Sequence, residues 1–589
     1  MQTLYSLVRN WRIPLRIKGA IFHFSKMEWR LFFIFGILLV VGTLGLLGQV
    51  NRAFMTEVPM RGGSLTEGIL GTPRFVNPVL ASSDADRDLV ALVYGGLLRK
   101  NSDGNLIPDL AEKYEASKDG LTYTFTLRDK IFFHDDEPVT ADDVVFTINN
   151  IKDPVIKSPR KAAWDGVSIE KVDNKTVKFT LRQPYTSFLD NATVGIMPEH
   201  VWQGSPIELN EANMEPVGTG PFKVKGVNKL SSGIIDEFRL ESFDKFALGK
   251  PYIRNITLNF YQSEEDLIKG LTDGEVQQVS SISPTEAEKL SNDGETIKSL
   301  LLPRVFGLFF NQNQNQIFTD KSVIKAINVA VDKESIVNEV LSGYGAAIED
   351  PLPPTTPNYY KLGSDHKMTR EERLEKASEI LKQGGWVKDE SGLLTKTTTD
   401  KKKNKTTAQI SFSISTSNAP ELTSAAEIIA EDLGTLGMTV EVKTFETGNL
   451  NQIVIRPRKY DALFFGQIIN HESDLFAFWH SSQRKDPGLN VAMYANPKVD
   501  KILEDAFVAT KKEDRVKKYA QFEEEIRKDM PAVFVYSPSF IYVVSKDLHG
   551  FTLDHITSPS DRFGSSYLWY TRVDHVWKIF APKETGLRY

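Results

Sequence analysis

The sequence predicts a mixed α/β protein behind one N-terminal transmembrane helix, and three stretches carry that prediction. Residues 31–50, LFFIFGILLVVGTLGLLGQV, run without a charge; at about 1.5 Å per helical residue they are long enough to cross a hydrocarbon layer of about 30 Å. Residues 119–146 pass from an alternating strand through an acidic turn into a capped helix. Residues 409–465 read strand, helix, strand, helix, strand, the pattern of a crossover between parallel strands, which is right-handed. At 589 residues the chain exceeds a single core, and about 150 residues per domain suggests roughly three or four domains. A composition of 41% hydrophobic and 25% charged residues is that of a globular protein and excludes bulk disorder.

Residues 1–30 are expected in the cytoplasm. They carry Arg9, Arg12, Arg16, Lys18, Lys26 and Arg30 against Glu28, whereas the twenty residues after the apolar stretch carry only Arg52 and Arg61. That asymmetry puts the positive flank inside and everything after residue 50 outside. An uncleaved anchor is the favoured reading, because signal h-regions are about 7 to 15 residues long and no clean A-x-A site follows; the Thr43-Leu44-Gly45 run keeps cleavage open. The chain has no cysteine, so a lipidated cysteine, disulfides and thiolate metal sites are all excluded. The first 50 residues carry a net +5, which leaves −11 outside for an overall charge of −6. An acidic exterior argues against nucleic acid as a partner. The one basic cluster beyond the membrane, KKKNK at 401–405, reads as a solvated hairpin tip.

Residues 51–63 end in Gly62-Gly63, lack periodicity and are read as a tether. Further on, Thr122, Thr124 and Thr126 alternate with Tyr123, Phe125 and Leu127, giving a half-buried strand. The DDEP turn at 135–138 stops it. Thr140 then stands at the N-cap of a helix running to about Asn150, with Asp143 placed to return a capping-box contact. In 409–465 the predicted strands are 409–414, 439–442 and 461–465, and the intervening helix has Ala425, Ile428, Ile429, Leu433 and Leu436 along one face. Residues 496–530 are strongly helical and 531–536 read as a buried strand.

The runs YTFTLR (123–128), FFHD (132–135) and PVTADDVV (138–145) closely resemble the hallmark segment of the family 5 extracellular solute-binding proteins, the peptide- and nickel-binding receptors of ABC importers. TEGILGTPRFVNP at 66–78, YGGLL at 94–98, IMPEHVW at 196–202, PVGTGPFKV at 216–224, GKPYI at 249–253, YQSEE at 261–265, GLFFN at 307–311 and WHSSQ at 479–483 are similar to further family segments. The resemblance covers residues 63–573 and implies a two-lobed periplasmic-binding-protein type II fold with an extra inserted domain. The implied domains are 64–100, 206–304 and 540–580 for lobe I, 101–205 for the insert and 305–539 for lobe II, with 581–589 a tail.

It also implies a ligand site. Ser82 and Ser83 fall where relatives face the cleft, although hydroxyls at a helix start also serve as caps. Arg160, in SPR at 158–160, corresponds to a loop overhanging the cleft, although such an arginine is usually a solvated surface residue. The loop expected to meet ligand holds Gly466, Gln467, Ile468 and Asn470, at the carboxyl end of the third strand. Peptide-binding relatives carry an aspartate there for the peptide α-ammonium. Here the matching position is Asn470, with Glu472 and Asp474 as alternative acids.

No H-E-x-x-H, G-x-S-x-G or Walker A pattern occurs, and the GTGP glycines lack a following lysine with Ser or Thr. His471 and His480, nine residues apart with no third ligand, make a weak metal site. The expected protein is therefore a monomeric receptor without cofactor, metal or catalytic residue, fixed to the cell membrane by its N-terminal helix. It would bind a peptide or other small polar ligand outside the cell and deliver it to ABC permease and ATPase subunits. A peptide sensor or scaffold without transport, and a hydrolase, are the alternatives.

Overall fold

The computed structural model describes residues 25–184, 187–356, 368–399, 405–471, 473–509 and 511–581. The basic residues before Ser25, residues 401–404 of the lysine cluster, Glu472 and the tail from residue 582 lie outside them. The chain divides into two units, one formed by residues up to Met60 together with those from Arg572, the other by Arg61–Thr571.

In the first unit, Ser25 starts the helix Lys26–Phe54 with a capping box: the Ser25 hydroxyl accepts from the Glu28 N–H, and the Glu28 carboxylate accepts from the Ser25 N–H at 2.6 Å. Its stretch Met27–Phe54 is long and apolar enough to cross a membrane. The segment read as a tether is ordered instead. The helix continues to Phe54, and Met55–Pro59 then pairs antiparallel with Val573–Trp577. Residues from Arg572 onward belong to this same unit. The run VDHVW at 573–577 shows no alternation, and its backbone groups are satisfied by pairing with Met55–Pro59.

In the second unit a continuous sheet runs through two lobes. In the first lobe, Ser64–Leu70 lies parallel to Asn255–Tyr261 and Gln278–Ser280, and Ile235–Ser242 and Phe222–Lys229 extend the sheet antiparallel. Thr122–Leu127 forms as predicted, in a separate antiparallel sheet between Ala111–Ala116 and Thr176–Leu181, with Val167–Lys171 outermost. Its inward residues Tyr123, Phe125 and Leu127 join the same hydrophobic core as Leu65, Leu89 and Leu258. The helix after it is Ala141–Lys152, and Thr140 donates from both its N–H and its hydroxyl to the Asp143 carboxylate, at 2.8 and 3.0 Å.

In the second lobe, Ser411–Ser417 lies parallel between Thr439–Phe445 and Ala462–Ile468. The helix Pro420–Leu436 buries Ala425, Ala426, Ile429, Leu433 and Leu436 against them. It stops at Gly437, whose φ of 97° is left-handed and whose added Cβ would sit 2.4 Å from the Gly392 carbonyl oxygen. The strands reach three residues further than the apolar pattern indicates, because Ser415–Ser417, Lys443–Phe445 and Gly466–Ile468 remain in the ladder although their faces are polar or mixed.

One long strand, Ala532–Val543, belongs to both lobes. Residues Ala532–Tyr536 pair with Arg304–Phe310, and Ser539–Val543 with Ile297–Leu301. The changeover falls at Pro303 and Pro538, which have no N–H to give a ladder. There Leu302 donates to the Pro538 carbonyl and the Ser537 hydroxyl to the Leu302 carbonyl, both at 2.9 Å. Two chain crossings thus lie side by side, the arrangement of a hinge.

Candidate ligand cleft

The cleft is built outward from the helix Asp84–Val93. Ser83 caps it, its hydroxyl accepting from Asp86 N–H while the Asp86 carboxylate accepts from the Ser82 and Ser83 N–H groups. The other end is held by the GTGP corner. Gly220 donates to the Val93 carbonyl at 2.7 Å, and the Thr219 hydroxyl accepts from Gly95 N–H at 2.9 Å. Added Cβ atoms at Gly218 and Gly220 would come within 2.1 Å of the Val93 oxygen and 2.4 Å of the Leu92 oxygen, so only glycine permits the approach. His134, from the hallmark segment, brackets the same corner: its Nδ1 accepts from Gly218 N–H at 3.2 Å, and its Nε2 donates to the Gly220 carbonyl at 3.1 Å. Burial pushes this imidazole down to about 4, so it is neutral at pH 7.

A cavity of about 570 Å³ opens between the lobes, within the range of about 300–1,000 Å³ usual for small-ligand sites. A second cavity of about 290 Å³ adjoins it and shares Lys100, Asp190, Asn470, His471 and Thr557 with it. The two cavities therefore share one wall. The lobes meet at its rim, where the Ser187 and Ser473 hydroxyls lie 3.2 Å apart and His471 Nδ1 stands 3.8 Å from Asp190 Oδ2.

Charge in the main cavity is only partly balanced. Arg87 pairs with Asp84 at 3.0 Å, Arg99 with Asp109 at 2.9 Å and Lys100 with Asp190 at 3.6 Å. Asp561 is occupied in capping Thr557 and Ser558. Arg160 and Arg304 also line the cavity, and among the described residues neither guanidinium has a hydrogen-bond or ion-pair partner. Arg160 is exposed to solvent at the cavity wall; burial lowers the pKa of the partly covered Arg304, and the negative charge of Asp84 opposes that shift. Two positive side chains thus face one cavity without a direct ion-pair partner among the described residues, although the charge of Asp84 reaches Arg304.

Of the residues singled out in the sequence, Arg160, Ile468 and Asn470 line this cavity. Ser82 and Ser83 are exposed beside it and serve the helix cap, the structural alternative. Gly466 and Gln467 lie inside the strand and not in a loop. Gly466 packs on the Phe306 ring, and Gln467 is buried with both amide atoms unbonded. Asp474 is not among the residues lining either cavity and accepts from His471 N–H at 3.0 Å; burial, and after it the charge of Asp190, raises its pKa. Sequence reasoning missed Arg304 and Asp190. A signal for Arg304 existed, since it is the one charge opening the otherwise apolar strand RVFGLFF and its register partner is Ile468. Asp190 carried none, because only the fold brings it to His471.

A fold of two sheet-linked lobes around a polar cleft defines a solute-binding receptor. Residues 105–487 match the model of the bacterial extracellular solute-binding proteins, family 5 Middle, and the chain belongs to that family. It is 30% identical to the oligopeptide-binding protein AppA of Bacillus subtilis over 504 residues, 84% of this chain and 89% of AppA. The structure of that AppA in complex with a nonapeptide superposes with a TM-score of 0.65 at 27% identity, covering 87% of this chain and 99% of the other. The substrate-binding protein CtaP of Listeria monocytogenes gives a TM-score of 0.72 at 26% identity, covering 87% and 99%. NikZ of Campylobacter jejuni, in complex with Ni(L-His), gives 0.67 at 26% identity, covering 86% and 99%. These are mixed α/β periplasmic-binding proteins of type II, and family 5 proteins are binding receptors, not enzymes.

Proposed function

We propose that this chain is the membrane-anchored receptor of an ABC importer, binding an oligopeptide or a similar extended polar ligand with at least one anionic group. The observation that supports it most is the pair of unpartnered arginines in the interlobe cavity, Arg160 from the first lobe and Arg304 from the hinge. A carboxylate between them would replace lost solvation with charge-assisted hydrogen bonds. Because Arg304 opens the strand that pairs with Ala532–Val543, a ligand bound to both arginines favours the closed arrangement by its greater affinity for it. The two adjoining cavities suit a chain-like molecule, in keeping with the nonapeptide bound by AppA. The chain itself performs no covalent chemistry; a separate subunit would hydrolyse ATP.

The anchor rests on the apolar helix and on the basic residues that precede it. Protease added to intact, wall-stripped cells should digest the large domain and leave a membrane-embedded N-terminal fragment. A protected domain would reverse the orientation, and a mature N-terminus beyond Val50 would replace the anchor with a cleaved signal.

A further inference from the structure

The small sheet next to the membrane helix leaves a cluster of large apolar side chains without protein cover. Phe54 is 57% exposed, Trp577 46%, Ile579 77% and Phe580 74%. They are held together by short contacts. Trp577 pairs in register with Met55, its indole Nε1 donates to Asn51 Oδ1 at 2.7 Å, and Lys578 N–H donates to the Phe54 carbonyl at 2.9 Å. Phe580 and Ala581 N–H groups both return to the Trp577 carbonyl, so Ile579 and Phe580 occupy a bonded turn against the helix end.

The position of this cluster along the helix decides what covers it. The uncharged stretch ends at Val50, and residues Asn51 to Phe54 add one helical turn, about 6 Å. The headgroup zone on each side of a bilayer is about 5–8 Å thick. Asn51, Phe54 and the residues bonded to them therefore fall within that zone once the helix spans the membrane. Tryptophan bonded through its indole N–H and flanked by apolar side chains suits that depth, and Arg52 and Lys578 supply cations for lipid phosphates.

We infer that residues 573–581, clipped to the helix end through Met55–Pro59, form a second membrane contact that seats Trp577, Ile579 and Phe580 in the lipid interface. The inference rests on the anchored reading of the helix. It gives the chain a two-point footing in which the segment following the lobes returns to the same lipid surface that the helix leaves.

The test uses the full chain in lipid nanodiscs. Because the chain has no cysteine, Ile579→Cys, Leu39→Cys and Val155→Cys each accept a single environment-sensitive fluorophore. Leu39 lies mid-helix, and Val155 is an exposed position of the other unit. The label at 579 should be quenched by nitroxide-bearing lipids and be several-fold less accessible to iodide than the label at 155. Equal iodide access at 579 and 155 overturns the inference, and so does protection from iodide without lipid quenching, which would mean cover by protein or by a second copy. Absence of lipid quenching at 39 would remove the anchor and this contact with it, which separates the two failures.

Discussion

Arg562 grips Asp88 with two parallel bonds, Nη1 to Oδ1 at 2.9 Å and Nη2 to Oδ2 at 2.5 Å, in a place that solvent does not reach. Its Nε donates to Glu67 at 2.8 Å, and Glu67 also accepts from the Tyr542 hydroxyl at 3.0 Å. One guanidinium therefore ties together the helix that leads to the cleft, the central strand Ser64–Leu70 and the hinge strand. Burial raises Asp88 to about 6 even beside this cation, a measure of how strongly the site disfavours uncompensated charge.

Arg562→Met should therefore destabilise the protein by about 3–5 kcal/mol, since it strands two buried acids. Arg562→Lys should fall between, keeping the charge but losing the fork. Urea denaturation followed by intrinsic fluorescence measures this; a midpoint unchanged in Arg562→Met would show that the acids are neutral in the native protein.

His134 makes stability depend on pH in a definite direction. Its folded value of about 4 lies below the ordinary imidazole value of about 6.5, so between the two the unfolded chain binds the extra proton and stability falls as pH falls. Below the folded value the loss is complete, at up to about 3 kcal/mol. His134→Gln should lose less stability than the wild type between pH 7 and pH 4.5. Parallel pH profiles for the two proteins would show that the imidazole is not buried as described.

Asn470 offers an amide at the cavity wall, at the position where the family resemblance leads one to expect an aspartate. Charge-assisted bonds contribute about 1.5–3 kcal/mol against roughly 0.5–1.5 for neutral ones, and Asp190, one of the acids lining the cavity, already faces Lys100 and His471. N-terminal acetylation of a bound peptide should cost under about tenfold, and Asn470→Asp should increase the preference for a free amine. Calorimetry on matched peptides decides. A loss of about a hundredfold on acetylation, near 2.7 kcal/mol, would place an acidic anchor in the wild-type site.

Much of the fold was legible because its signals are local. The strand Thr122–Leu127, its helix cap at Thr140 and the crossover around Pro420–Leu436 follow from side-chain periods and caps that neighbouring residues determine. The strand at 573–577 was not, because pairing with Met55–Pro59 joins residues more than 500 apart in sequence. The site divides in the same way. Arg160 and Asn470 could be placed from short motifs, whereas Asp190 reaches His471 only through lobe contact. The GTGP glycines, which lack the lysine of a phosphate loop, serve as spacing elements that admit the end of the Asp84–Val93 helix against the corner.

We propose that a polar, partly anionic ligand is held between the lobes by Arg160 and Arg304. This is tested most directly by exposing the full-length protein to a pool of short mixed peptides, washing, and identifying what is released by mass spectrometry. The same is done for the Arg160→Gln/Arg304→Gln variant. Near-stoichiometric peptide from the wild type, enriched in acidic groups, with tenfold or greater loss in the folded variant, is the predicted result; a loss of that size is about 1.4 kcal/mol or more. Equal recovery from both proteins, or none from folded wild type, would contradict it.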